Sequence, residues 1–200
     1  MRSEFDVLLV TDDGENVETL KNGLLASGAN EIKVASLEQN VLKALNENNI
    51  DLLVLDIKRP TLKLFEQFSV VNEYCPKPIV CFSEERDSKI IAQSVKAGVT
   101  AYIVEGKDPS RIRPIIEVAM LRFNECQAIK KELAQVKDKL SQRAIIEKAK
   151  GLLIEHKNMS EDQAYKTMRK MAMDQGKKIS VIAHEVCDVI AALESSSVSV

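Results

Sequence analysis

The chain is poor in aromatic residues and has no long apolar run. Only 4% of its 200 residues are aromatic, none is tryptophan, and in residues 144–192 Tyr165 is the single aromatic side chain. That C-terminal segment has too little apolar material for an enzyme pocket but enough for a small binding module, and we predict that the protein is not an enzyme. No stretch of about 18 apolar residues or signal peptide is present, so we expect a cytoplasmic protein without a membrane partner.

Cysteines are also few, and they show no paired spacing. Cys75, Cys81, Cys126 and Cys187 are far apart in the sequence. Neither a zinc site nor a disulfide framework fits that distribution, so we expect reduced, buried thiols.

The small net charge of −2 hides two halves of opposite sign. Residues 1–109 contain 12 basic and 18 acidic side chains, whereas residues 110–178 contain 16 basic and 9 acidic ones. The C-terminal half is therefore suited to a polyanion. A solvated helix surface is the alternative interpretation.

The N-terminal half alternates short apolar runs with helical segments. The runs are Asp6–Thr11, Glu31–Val34, Leu52–Asp56, Ile79–Phe82 and Ala101–Val104. This alternation predicts a doubly wound sheet of five parallel strands in a flavodoxin-like α/β domain. Asp12 and Asp13 follow the first run, Asp56 ends the third and Ser83 follows the fourth. They should meet at one sheet edge, where a hard cation or a phosphoryl group would relieve their repulsion.

These motifs resemble the receiver domain of two-component response regulators. The resemblance covers about residues 5–123 and rests on VTDD, VLDIKRP, IVCFS and AGVTAYIV. A domain of this kind requires no cofactor, and the resemblance implies only that Mg²⁺ could bind at the acidic site. The implied roles are a phosphoacceptor at Asp56, metal ligands at Asp12, Asp13, Asp56 and the Lys58 carbonyl, a phosphoryl contact at Ser83 and an aromatic switch at Tyr102.

One position departs from the receiver pattern. Glu105 occupies the place of the family's lysine after the fifth strand. Lys107 could substitute for that lysine, but it lies beyond Gly106 and outside the motif. A carboxylate there adds negative charge to an acidic site. We therefore expect a pseudo-receiver that works as a protein-docking surface rather than a phosphorylated domain.

A long helix is predicted from Ser110 to about Lys157, and its residues 110–143 follow heptads. One core position holds Ile112, Ala119, Cys126, Leu133 and Leu140, and the other holds Ile115, Arg122, Ile129, Val136 and Arg143. The pattern favours a short coiled coil in a homodimer. The alternative is a long amphipathic helix packed on its own receiver domain.

Residues 141–193 predict an all-α module of three helices. Ser160 and Gln163 form a capping box at the second helix, and Gly151 is expected where helices approach closely. Residues 194–200 are expected to be a disordered tail. Outward-facing groups that could contact RNA phosphates or bases are Arg143, Lys150, Tyr165, Lys166, Arg169, Lys170, Lys177 and Lys178.

This segment resembles the ANTAR family of RNA-binding antiterminators. The matching residues lie in EKAKGLLI, SEDQAY and the MRKMAM that follows. AYIVEG and RPIIEVAMLRF further resemble the nitrate/nitrite-assimilation (NasT-like) group. The resemblance implies binding to a two-hairpin leader mRNA, an indirect effect on the RNA polymerase complex, and control by a nitrate-sensing regulator related to solute-binding proteins.

A phosphorylation-dependent DNA-binding response regulator is the alternative function. It would need a recognition helix with basic residues. The last predicted helix, SVIAHEVCDVIAAL, contains Glu185 and Asp188 but no Lys or Arg. RNA is therefore the favoured ligand.

Overall fold

The structure is a computed structural model that describes residues 4–12, 17–37, 41–47 and 49–197. The chain divides into two compact units, residues 1–128 and residues 129–200. Asp13, a predicted metal ligand, lies outside the described residues. The elements in chain order are β1 Phe5–Thr11, α1 Val17–Ala26, β2 Ala29–Ser36, α2 Val41–Glu47, β3 Leu52–Asp56, α3 Leu62–Tyr74, β4 Ile79–Ser83, α4 Ser88–Lys96, β5 Ala101–Val104, α5 Pro109–Lys157, α6 Glu161–Gln175 and α7 Ile179–Ser197.

The first unit is built on the predicted sheet of five parallel strands. The strands lie in the order β2-β1-β3-β4-β5, and every pair is parallel. All residues of β3 and β4 are buried, as expected for central strands that helices cover on both faces. The α/β fold predicted from the sequence is therefore confirmed.

Two apolar layers, one on each face of the sheet, stabilise this unit. Phe65 and Phe68 lie in one layer, and Leu20, Leu24 and the beginning of α5 lie in the other. Gly23 allows α1 to approach α5 closely, because a Cβ there would lie 2.3 Å from Ile112 Cδ1. Helix α5 begins at Pro109, because proline suits a first helical position, and it continues through Pro114.

The second unit is helical and has its own core. Ala149 and Leu153 of α5, Met168 of α6 and Ile182 of α7 are among its buried residues. The predicted capping box is present, since Ser160 Oγ accepts from the backbone N–H of Gln163 and the Gln163 side chain accepts from that of Ser160. None of the helices in the described ranges is long and apolar enough to cross a membrane.

Two expectations about this unit were wrong. A Cβ on Gly151 would meet no heavy atom within 4 Å, so this glycine does not mark a close helix contact. Helix α7 also continues to Ser197, so residues 194–197 are helical rather than a disordered tail. Residues 198–200 lie outside the described residues.

Candidate functional site

The acidic site lies at the carboxyl ends of three neighbouring strands. Asp12 follows β1, Asp56 ends β3 and Ser83 ends β4, as predicted from the sequence. Asp56 is 1% exposed, and the backbone N–H of Asp12 donates to its carbonyl oxygen at 3.2 Å. The Asp12 carboxylate in turn accepts from the backbone N–H of Lys58, with the shorter contact at 3.1 Å.

An ammonium group is already present at this site. Lys107 Nζ lies 2.7 Å from Asp56 Oδ1, and the side chains are 20% and 2% exposed. Lys107, which lies outside the receiver motif in the sequence, therefore brings positive charge to the acidic site. A buried ion pair of this kind replaces the solvation that Asp56 loses on folding.

The backbone after β5 explains how Lys107 reaches Asp56. Glu105 has a φ of +52°, a left-handed conformation that turns the chain directly after the strand. The Glu105 carboxylate forms an exposed ion pair with Arg86 at 2.7 Å instead of entering the site. Gly106 follows, and a Cβ there would lie 2.2 Å from Ile103 Cγ2. Lys107, two residues beyond Glu105, is thus the side chain whose ammonium group contacts Asp56.

Ser83 and Tyr102 hold the loops around the acidic site. Ser83 Oγ donates to the Lys58 carbonyl at 3.1 Å and accepts from the backbone N–H of Glu85 at 3.0 Å. The Tyr102 hydroxyl donates to the Glu85 carbonyl at 3.1 Å, and burial, the largest cause, raises the pKa of this phenol. On β4, burial raises the pKa of the Cys81 thiol to about 12, with Asp56 and Asp12 adding to the shift. That thiol is therefore unreactive at neutral pH.

The oxygen atoms at this edge are chemically suited to Mg²⁺. The carboxylates of Asp12 and Asp56 and the Lys58 carbonyl are hard ligands, and Mg²⁺ commonly binds one or two carboxylates together with phosphate oxygens. Among the described residues, no three His, Cys, Asp or Glu side chains form a metal cluster. Asp12 and Asp56 are the two carboxylates that would hold the ion. The ion would neutralise negative charge when a phosphoryl group is bound.

The second candidate site is the exposed face of α6. Tyr165 is 42% exposed, and Arg169 is exposed one helical turn further along the same side. Lys170 is the neighbouring exposed cation. Lys166 lies 2.6 Å from Asp162, so part of its charge is neutralised locally. This face combines an aromatic ring with cationic side chains.

The remaining predicted cations differ in how they are paired. Lys177 forms an ion pair with Glu185 at 2.5 Å, whereas Lys178 and Arg143 are exposed. Within the part of the chain that the structure describes, no carboxylate lies at ion-pair distance from Arg143, Arg169, Lys170 or Lys178. These four therefore have the charge most available to a polyanion.

Lys150 was predicted to face outward, and this prediction was wrong. It is 8% exposed, and its Nζ lies 2.8 Å from both Glu147 Oε1 and Glu161 Oε1. Hydrogen bonds to Glu147 and Glu161 raise the pKa of Lys150, and Lys150 lowers the pKa of Glu161. This lysine therefore joins α5 to α6 inside the module.

Two protein families match the chain, one over its N-terminal part and one over its C-terminal part. The response regulator receiver domain family matches residues 7–117, and the ANTAR domain family matches residues 134–186. The chain is an ANTAR response regulator. A transcriptional regulatory protein, PdtaR of Mycobacterium tuberculosis, is 27% identical over 184 residues, which are 92% of this chain and 90% of that protein. The nitrate regulatory protein of Klebsiella oxytoca is 35% identical over 77 residues, 38% of this chain and 19% of that protein.

Solved structures resemble the receiver part of this response regulator. A CheY-like receiver domain protein from Methanospirillum hungatei has a TM-score of 0.53 at 21% identity, covering 62% of this chain and 98% of its own. The chemotaxis response regulator CheY4 of Vibrio cholerae has a TM-score of 0.50 at 19% identity, covering 58% and 99%. At these identities the likeness establishes the fold alone.

Two side-chain contacts of the ANTAR response regulator were not predicted from the sequence. Lys107 was considered as a substitute for the family's lysine but was not expected to pair with Asp56, although the adjacent Gly106 signalled a turn that could redirect it. Glu147 and Glu161 were not identified as partners of Lys150, although Glu147 lies three residues before it on the same helix face.

Proposed function

We propose that this ANTAR response regulator is a transcription antiterminator that binds two-hairpin leader mRNA through the α6 face. The carrying observation is the exposed Tyr165 beside the exposed cations Arg169 and Lys170. An aromatic ring and a guanidinium group can both stack on unpaired bases, while lysines neutralise phosphates. RNA loops are the favoured target because the A-form major groove is too narrow for a helix.

The proposal includes two copies of the chain and two further partners. A homodimer would present two α6 faces to two hairpin loops, so the second contact is made at high effective concentration. The match to the Klebsiella nitrate regulatory protein supports nitrate/nitrite assimilation genes as targets, and a solute-binding-like nitrate sensor as the regulator. Bound leader RNA would act on the RNA polymerase complex indirectly, by preventing formation of a terminator.

The alternative, a phosphorylation-dependent DNA-binding regulator, has less support. Helix α7 contains no Lys or Arg from Ile179 to Ser197, and it includes Glu185 and Asp188. A helix in the major groove would bring these carboxylates towards phosphates and base edges. The binding experiment described next compares duplex DNA with hairpin RNA, because this alternative predicts tighter binding to DNA.

We expect Arg169→Ala and Tyr165→Ala each to weaken binding to hairpin RNA by roughly five- to 150-fold, the equivalent of about 1–3 kcal/mol per stacked base. Gel shifts at modest salt would measure this, with hairpins transcribed from the leaders of neighbouring genes. Lys63→Ala removes an exposed cation of the receiver and should leave affinity unchanged. Equal affinity for all three variants, or tighter binding to duplex promoter DNA, would contradict the proposal.

We further propose that Asp56 is a phosphoacceptor and that phosphorylation regulates RNA binding. Lys107 supplies the ammonium group whose absence argued against this chemistry. A paired cation can also balance the charge of a bound phosphoryl group, since charge-assisted hydrogen bonds to phosphate are strong. This proposal replaces the expectation of a receiver that only docks proteins.

Incubation with acetyl phosphate and Mg²⁺ is expected to add one phosphoryl group per chain. An Asp56 carboxylate oxygen forms a bond to phosphorus, and acetate leaves, so the product is an acyl phosphate. Intact-mass measurement should detect this group in the wild type and in Asp138→Asn, an exposed carboxylate on α5, but not in Asp56→Asn. A wild-type chain that stays unmodified would contradict phosphorylation of Asp56 and would favour a receiver that only docks proteins.

A further inference from the structure

Two neighbouring rows of side chains run along the exposed surface of α6. The first row, here called the base row, contains Tyr165, Arg169 and Met173, and the second, here called the lysine row, contains Lys166 and Lys170. Residues four apart are neighbours on a helix, so each row is continuous and the two rows lie side by side. Tyr165 and Met173 are 42% and 73% exposed, and the other three side chains are exposed as well. The five groups are therefore presented together to solvent.

Met173 adds a third group to the base row that can contact a nucleobase. The ring of Tyr165 and the guanidinium plane of Arg169 can each stack on an unpaired base. A thioether is polarisable and flexible, and it makes favourable contacts with aromatic rings. Nucleobases are aromatic, so the exposed Met173 side chain is suited to the same kind of partner. The base row can thus hold three bases, one on each side chain.

The spacing of the base row selects nucleotides that are not stacked on one another. Four residues span about 6 Å along a helix axis, at about 1.5 Å per residue. Stacked bases in one strand of a duplex are only about 3.4 Å apart. Consecutive bases can each meet one group of the row only when they are splayed apart. The unpaired loop of a hairpin supplies such bases, whereas its stem does not.

The two lysines alternate with the groups of the base row along the helix axis. Lys166 comes directly after Tyr165, and Lys170 comes directly after Arg169. Three consecutive nucleotides have two phosphates between them, so each of these phosphates can meet one lysine. Lys166 also pairs with Asp162 at 2.6 Å, and their side chains are 72% and 71% exposed. An exposed pair of this kind is weak, and an ammonium group has three donors, so Lys166 can bind a phosphate as well.

Carboxylates limit the lysine row at both ends. Asp162 lies one helical turn before Lys166, Asp174 lies one turn after Lys170, and both carboxylates are exposed. A strand that continued along the row in either direction would bring its phosphates towards like charge. We infer that α6 binds a run of three consecutive, unstacked nucleotides of an RNA loop, with one base on each group of the base row. The inference rests on the RNA binding of the proposed function and specifies which part of the RNA the helix holds.

The length of this run can be tested by removing the bases of the loop one at a time. The probes are synthetic copies of the leader hairpins, each with a single abasic nucleotide, and fluorescence anisotropy measures their affinity for the full chain. We expect three consecutive abasic positions to weaken binding by roughly five- to 150-fold each, and the other loop positions to have little effect. In Met173→Ala, affinity for the intact hairpin should fall, and the abasic nucleotide at one end of the run should cause no further loss. In Tyr165→Ala, the same should hold at the opposite end.

Met171→Ala is the matched control for Met173→Ala. Met171 is a methionine of the same helix, 36% exposed, that belongs to neither row, so its removal should preserve the wild-type affinity and abasic pattern. Sensitive positions scattered through the loop, or a Met173→Ala variant with wild-type affinity and pattern, would contradict the inference while RNA binding itself stands. A wild-type chain that binds none of the hairpins would contradict the proposed function and the inference together.

The salt dependence of affinity gives a second measurement, because it counts contacts with phosphates. Lys170→Ala should make the slope of log affinity against log salt shallower by about 0.7, the value for one phosphate of a single strand. Asp174→Lys extends the lysine row by one turn and should make the slope steeper by a similar amount. Lys63→Ala, on the receiver, should leave it unchanged. A slope that does not respond to Lys170→Ala would contradict the position of the phosphates on the lysine row.

Discussion

Replacing Lys107 with alanine is expected to destabilise the receiver domain by about 3–5 kcal/mol, the usual cost of removing one partner from a buried ion pair. The Asp56 side chain is 2% exposed and would lose the ammonium group that lies 2.7 Å away. Urea unfolding, followed by a signal of the receiver domain, measures this loss. We expect it to be the largest effect of any single substitution at the acidic site.

Two controls separate the buried pair from charge removal in general. Arg86→Ala breaks the exposed pair with Glu105 and should cost no more than about 1 kcal/mol. Asp56→Asn combined with Lys107→Ala removes both charges and should be more stable than Lys107→Ala alone. Equal stabilities of Lys107→Ala and Arg86→Ala would show that the Lys107 contact contributes little in solution.

The strands and their carboxyl ends could be predicted because several local signals agreed. Each central strand is a short apolar run with a polar residue at its end. The third strand ends at Asp56 as predicted, and β4 ends at Ser83, one residue later than predicted. The contact between Lys107 and Asp56 could not be predicted in the same way. Its position depends on a left-handed backbone at Glu105, and no side-chain periodicity encodes that conformation at a non-glycine residue.

In the helical module, too, the features that follow the apolar periodicity of the sequence were predicted, and a contact that does not follow it was missed. Periodicity identified three helices and most of their buried faces, including Ala149 and Met168. It failed for Lys150, because a spacing of seven from Arg143 and Lys157 suggested one shared outer face. A lysine can bury its long stem along an apolar surface while its ammonium group finds carboxylates at the edge, and Glu161 on the next helix completes that arrangement.

Lys150→Ala is therefore expected to act on the stability of the module and only secondarily on RNA. The substitution removes both 2.8 Å contacts and leaves Glu147 and Glu161 without their shared cation. We expect the melting temperature of the C-terminal unit, followed by circular dichroism, to fall by several degrees. Arg169→Ala, which removes an exposed cation of the α6 face, should leave it unchanged.

The same contacts predict how stability changes with pH. Lys150 lowers the pKa of Glu161 below its usual 4.5, so this contribution is present above pH 4.5 and is lost as the pH falls through the lowered pKa. Glu147 and Glu161 raise the pKa of Lys150 above 10.5, so its contribution is complete below pH 10.5 and is lost at still higher pH. Glu161→Gln should flatten the acid limb of the melting profile. If Lys150→Ala instead melts like the wild type and weakens RNA binding, Lys150 contacts RNA directly and the ion pairs contribute little to the fold.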